Sequence, residues 1–255
     1  RVPLISNAAP IEKVRLEENT KIKPKVDYLV NDTDAKSVTS ILELHKSKIP
    51  VSNIIKILSA GLLGLKKNRR LVPTRWSITA TDDTISKTKL KNIKLFNEIS
   101  EIQVFHAEYV GNHYEFLLLP DKYSFEVIEA SWTHKLNFWQ DHETFFPRKK
   151  YADSVTGAYY ANRLALTEYL EKIKRQAQCL VMREARPEYY APCGVGILRQ
   201  ISRAAFSKKP EKFNTLKEAF EQIQTRLQLP IDNFINRSFL LENYGKQKKI
   251  IEFLS

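Results

Sequence analysis

Four acidic residues stand where carboxylates can do chemistry. Asp82 and Asp83 are adjacent, an arrangement able to hold a divalent cation. Glu184 and Glu188 lie beside Arg183 and Arg186, where a carboxylate serves as an acid–base group or as half of an ion pair. The plainer roles are favoured: Asp82 as a helix cap, the glutamates as ion-pair partners. Other catalytic patterns fail on spacing. Gly194-Val195-Gly196 lacks the third glycine of a dinucleotide loop, because position 199 is Arg. His142-Glu143 lacks the second His of a zinc protease helix, because position 146 is Phe. Ser86-x-x-Lys89 is a short pattern in a Lys-rich chain. Five scattered His and two Cys (Cys179 and Cys193) make neither a disulfide framework nor a four-thiolate zinc site. No metal and no cofactor are therefore expected in these residues.

Basic residues carry a stronger signal. The chain has 41 Lys and Arg against 29 Asp and Glu, a net charge of +12, which favours a polyanionic partner. Residues 60–75 hold Lys66, Lys67, Arg69, Arg70 and Arg75 and no acid. Residues 172–209 hold nine Lys or Arg against two Glu, while 98–129 hold seven acids against one Lys. Charge segregated in this way predicts a nucleic-acid face built from Lys66, Lys67, Arg69, Arg70, Arg75, Arg163, Arg175, Arg183, Arg199 and Arg203. Tyr159, Tyr160, Tyr189 and Tyr190 could stack on bases, with half or more of them expected in the core.

The elements that must position these residues follow from periodicity. Asp32-Thr33-Asp34 caps a helix to about His45, and a second starts after Pro50, capped by Ser52. Residues 75–81 alternate as a strand, with Trp76, Ile78 and Ala80 toward the core and Arg75, Ser77 and Thr79 toward ligand. A helix follows from Asp82 to about Phe96. Strands over 102–110, 113–119 and 123–132 form an antiparallel meander, turned by Gly111-Asn112 and Pro120-Asp121-Lys122. Then come a helix over 153–174, a buried strand over 177–183, a helix near 195–206, and one opened by Asn214 or Thr215. The fold class is α+β: a largely antiparallel sheet packed by several helices, with residues 1–240 as the globular core and 241–255 as a tail. No apolar run is long enough to span a membrane, and the few cysteines fit a reducing, cytoplasmic setting.

The tail carries a motif. Gln247-x-x-Ile250-x-x-Phe253-Leu254 resembles the peptide box by which repair and replication proteins bind the sliding clamp. One helical turn puts Ile250, Phe253 and Leu254 on a single apolar face, with Gln247 beside it and Lys248 and Lys249 on the other side.

Longer motifs run through the whole chain. Leu58-Ser-Ala-Gly-Leu-Leu-Gly64, Arg70-Leu-Val-Pro-Thr-Arg-Trp-Ser-Ile-Thr-Ala-Thr-Asp-Asp83, Tyr151-Ala152, Gly157-Ala-Tyr-Tyr-Ala-Asn-Arg163, Arg175-Gln-Ala177, Arg183-Glu184 and Tyr189-x-x-Pro-x-Gly-Val195 resemble the archaeal Nre family of DNA repair proteins. The resemblance implies a role in the response to DNA damage, with DNA and the archaeal sliding clamp (PCNA) as partners. Family members usually begin with a four-cysteine zinc-ribbon-like element, which these residues lack. The sole methionine is Met182, so the chain is expected to be a portion of a longer protein, with any zinc in a region upstream or on a separate chain. Two other functions stay open: an enzyme acting on damaged nucleic acid (a metal-dependent nuclease or lesion hydrolase), using Asp82, Asp83, Glu184 and Glu188, and an RNA-associated housekeeping protein.

Overall fold

The computed structural model describes residues 21–132, 135–189 and 194–246. The chain divides into two compact units at Val72/Pro73.

The first unit holds helices α1 (Pro24–Asn31), α2 (Ser37–Lys46) and α3 (Val51–Ser59), then a 3-10 turn over Lys66–Asn68. Pro24 starts α1, because the first turn of a helix needs no N–H from that position. Asp32 accepts from the backbone N–H groups of Asp34 and Ala35 just before α2. Pro50, not Ser52, stands at the N-cap position of α3, which has no side-chain cap bond. Ile41, Leu44, Ile54, Ile55 and Leu58 are the buried side of α2 and α3. The loop after α3 is tied back by Arg69, which donates to the carbonyls of Gly64, Val30 and Asp32.

The second unit opens with α4 (Thr74–Ile93), which overturns the strand expected over 75–81 and the cap expected at Asp82. Its buried positions are Ser77, Thr79, Thr81, Asp82, Ile85, Ser86, Leu90 and Ile93, and all but Thr79 fall on one helical stripe. The β-branched Thr and Ile residues suggested a strand, but packing of that stripe outweighs a propensity of under about 1 kcal/mol per residue.

Six strands form one sheet in the order β4-β3-β5-β2-β1-β6: β1 (Ile102–Tyr109), β2 (Asn112–Leu119), β3 (Ser124–Ser131), β4 (Asn137–Glu143), β5 (Gln178–Ala185) and β6 (Glu211–Phe213). β1 and β2 are the expected hairpin, with its turn at Val110-Gly111, one residue earlier than expected. Both residues have positive φ, the mark of a tight two-residue turn. A Cβ on Gly111 would come within 2.4 Å of the Tyr189 backbone nitrogen. The expected meander stops there. β5 inserts between β2 and β3, antiparallel to the first and parallel to the second. The reason lies in its side chains: Cys179, Leu180, Val181 and Met182 are all fully buried, so both faces of β5 need cover and it takes a central place. Polar β4 takes an edge.

One face of the sheet, bearing Phe105, Phe116, Phe125 and Val181, packs under α4, α5 (Gly157–Ile173) and α6 (Val195–Phe206). The other, bearing Val104, Leu117, Ile128 and Met182, is covered by α7 (Leu216–Gln224) and the segment carrying α8 (Asp232–Ile235). Thr215 caps α7 with Glu218 in a reciprocal box. The last described helix, α9 (Phe239–Asn243), lies on β3. There the buried Glu126 carboxylate accepts from Ser238 Oγ and from the backbone N–H groups of Phe239 and Leu240. Among the described residues, no helix is long and apolar enough to cross a membrane.

Candidate nucleic-acid interface

The motif residues converge on α4, α5 and α6. Asp82, fully buried, accepts from Arg199 on α6 through Oδ2, at 3.1 Å from Nε and 2.6 Å from Nη2. Burial pushes its carboxyl up to about 6, against the pull of Arg199. Asp83 pairs with Arg163 on α5. Arg163 also donates to Glu143 on β4 at 2.9 Å and to Ser86 at 3.2 Å, and Glu143 accepts from Tyr123 Oη at 2.7 Å. These pairs fix the direction of the helices. Ser86 and Asp83 meet Arg163, and Lys89 meets Glu171, so α4 and α5 run parallel. Gly157 lies against Val195, and Asn162 bonds Ser202, so α6 runs the same way.

A ladder of rings and cations climbs from this network to the surface. The Arg163 guanidinium sits 5.4 Å from the Tyr160 ring. Tyr160 stacks on Tyr151 at 5.3 Å and 25°. Tyr151 meets Trp76 at 5.6 Å and 56°. Arg75 lies 5.6 Å over the indole. Exposure rises along it, from 1% at Arg163 and 6% at Tyr160 to 36% at Tyr151 and 46% at Trp76. Trp76 is therefore a surface residue at the start of α4, not the core residue that a strand over 75–81 implied.

The ten basic residues expected to form one face separate by role. Lys66, Lys67 and Arg70 are exposed in the first unit and make no ion pair among the described residues. Arg69 is spent on three backbone carbonyls of its own unit. In the second unit, Arg75 is exposed at the start of α4 and Arg175 just beyond the end of α5. Since those helices are parallel, the two arginines lie at opposite ends of the helical layer. Arg163, Arg183, Arg199 and Arg203 face inward to carboxylates. Arg183 is buried against Glu129 and the Asn112 side chain, and Arg203 is held at both ends by Glu168. Of the nine cations over 172–209, Arg183, Arg186, Arg199 and Arg203 are thus held in ion pairs, while Lys172, Lys174, Arg175, Lys208 and Lys209 are exposed.

The four acids are not brought together. Asp82 and Asp83 lie on the α4 side of the sheet. Glu184, alternating with Arg183 along β5, points to the other side, where it holds Arg186 and the backbone N–H groups of Gln228 and Leu229. Glu188 is exposed beyond β5. Among the described residues, no cluster of three or more His, Cys, Asp or Glu could hold a metal. Tyr159 and Tyr160 are core residues, and Tyr189 lies 5.7 Å from the Arg183 guanidinium. Tyr190 and the tail residues Gln247, Ile250, Phe253 and Leu254 lie outside the described residues.

Two residues that matter here escaped the sequence as site residues. Tyr151 stood out only within a motif. Glu143, the acid that fixes Arg163, belongs to a polar strand without an apolar pattern. The signal that could have exposed Trp76 is the outward helical stripe Trp76, Ala80, Asp83, Lys87 and Lys91, which fits a period of 3.6 and not of 2.

Comparison with known proteins agrees along the chain. Residues 2–139 match the family described as "Archaeal Nre, N-terminal" and residues 143–253 match "Archaeal Nre, C-terminal". The chain is 36% identical over 260 residues to the DNA repair protein NreB of Archaeoglobus fulgidus, covering 99% of this chain and 66% of that protein. It is 36% identical over 229 residues to NreA of the same organism, covering 87% and 58%. NreA of Haloferax volcanii is 31% identical over 247 residues, covering 93% and 58%. The chain thus spans about two thirds or less of the length of these relatives. No solved structure matches it.

Proposed function

The chain belongs to the archaeal Nre family, and from that premise we propose that it acts in DNA repair, binding DNA and docking on the sliding clamp. The observation that carries this reading is the identity of 31–36%, over most of the chain, with proteins named for DNA repair. The distribution of cations supports DNA binding. Lys66, Lys67, Arg70 and Arg75 remain exposed and unpaired by acids among the described residues, as phosphate contacts must be. Clamp docking rests on the box Gln247-x-x-Ile250-x-x-Phe253-Leu254, whose three apolar residues fall on one face of a helical turn.

The test uses the purified chain and the archaeal clamp in a calorimetric titration. Binding that is lost in a Phe253→Ala, Leu254→Ala variant supports clamp recruitment, and binding unchanged by it removes the box from the account. A strain carrying that variant should survive DNA damage less well than the parent. Equal survival of a full deletion would contradict the repair role.

A further inference from the structure

We propose that Trp76 and Tyr151 form a stacking site for one unpaired nucleobase, with Arg75 on the adjoining phosphate. The proposal rests on the DNA-binding reading and names the form of DNA that this end of the helical layer would take.

Three observations carry it. First, the indole is left out of the core on a stripe of α4 otherwise made of Ala80, Asp83, Lys87 and Lys91, although the apolar face of the sheet lies beneath the same helix. Second, its partner ring is braced from behind. Tyr151 stacks on Tyr160, whose hydroxyl accepts from the Ala152 N–H at 2.9 Å, and Tyr160 rests on the buried, ion-paired Arg163. A rigid backing of this kind holds the aromatic surface ready before a ligand arrives. At 56° to each other, Trp76 and Tyr151 are tilted rather than stacked flat, so neither ring covers the whole face of the other. Third, this end is positive. Arg75 lies over the indole, exposed Lys149 and Lys150 precede Tyr151 against one exposed acid after it, Asp153, and α4, α5 and α6 all begin here, so their dipoles add in the same sense.

A ligand for this surface must offer a π face and negative charge side by side, and a nucleotide within a strand does so. A matched duplex does not, because each base face is covered by its neighbours and only edges reach the grooves. The base must therefore be unpaired, either in a single strand or extruded from a damaged or bulged duplex.

The test measures affinity by fluorescence anisotropy for three labelled probes: a single strand, a duplex with one bulged nucleotide, and the matched duplex. The protein is the full chain, with Trp76→Ala, Trp76→Phe and Tyr151→Ala variants whose melting temperatures are measured first. Trp76→Ala is expected to weaken the single-strand and bulged probes about five- to hundredfold and the matched duplex by less than about twofold. Trp76→Phe should keep most of the affinity, since a π face remains. A loss confined to the single strand identifies that as the source of the base. A loss on both unpaired probes admits the extruded base as well. If folded Trp76→Ala binds all three probes like the parent, or loses all three alike, the stacking site is wrong while the DNA-binding reading stands. If the parent binds none of them, both fall.

Discussion

Arg199 reaches Asp82 across 117 positions of sequence, and both of its bonds land on a single carboxylate oxygen, Oδ2. The other oxygen, Oδ1, is buried without a partner among the described residues. A half-satisfied carboxylate in the core is easier to protonate than a solvated one, and burial raises Asp82 from 3.8 to about 6. The sign of the stability effect follows. Between those values the folded state binds the proton and the unfolded chain does not. The stabilisation is therefore complete below about pH 3.8 and is lost as pH rises through about 6. An Asp82→Asn variant cannot titrate there. The melting temperature of the parent minus that of the variant should fall between pH 4 and pH 7. A difference that stays level would show that Asp82 is ionised throughout.

Arg163 is the hinge-pin of the same layer, joining α4 to α5 and β4 through Asp83 and Glu143. Replacing it by Met would leave Glu143 buried and uncompensated. The expected cost is about 3–5 kcal/mol, the range for breaking a buried pair from one side, read from urea unfolding at neutral pH. A loss below about 1 kcal/mol would mean that the pair contributes no more than a surface one. Because Arg163 also backs Tyr160, the near-ultraviolet circular dichroism of the Trp76–Tyr151–Tyr160 group should change in the same variant.

Glu126 ties the last described helix to the sheet by accepting three hydrogen bonds at its first turn, the shortest 2.6 Å from Ser238 Oγ. Glu126→Ala leaves those donors without an acceptor, at a cost of about 1–3 kcal/mol. Hydrogen exchange should quicken at residues 239–243 well before it does in β5. Unchanged exchange over α9 would show that apolar packing alone holds it.

The outline of this fold was legible, and the places where it was not have physical causes. α6 and α7 could be read because each has one buried and one polar side with a clear start. α4 could not, because four positions of its buried stripe, Ser77, Thr81, Asp82 and Ser86, are polar, and the aliphatic ones, Ile85, Leu90 and Ile93, all fall in its second half, so the stripe did not look apolar. β5 announced itself by four consecutive buried apolar residues, but its position between β2 and β3 is a property of the sheet, which no local pattern contains. β4 was invisible because its charges are satisfied by partners outside the strand: Asp141 accepts from the Val155 N–H at 2.7 Å and pairs with Arg148, and Glu143 pairs with Arg163. The same blindness explains the arginines. From sequence alone, Arg163, Arg183 and Arg199 cannot be told from Lys66 and Arg70. The acids that hold them lie from 20 to 117 positions away, at Glu143, Glu129, Asp83 and Asp82.

The central claim is that this chain engages DNA through its exposed cations, and the salt dependence of binding tests it most directly. Affinity for a labelled duplex would be measured over a range of salt for the parent and for a Lys66→Gln, Lys67→Gln, Arg70→Gln variant. The parent should bind more weakly as salt rises. The variant's slope of log affinity against log salt should be shallower by up to about 2.7, at about 0.9 for each phosphate contact removed. An affinity indifferent to salt, or a slope identical in the two proteins, would contradict the account.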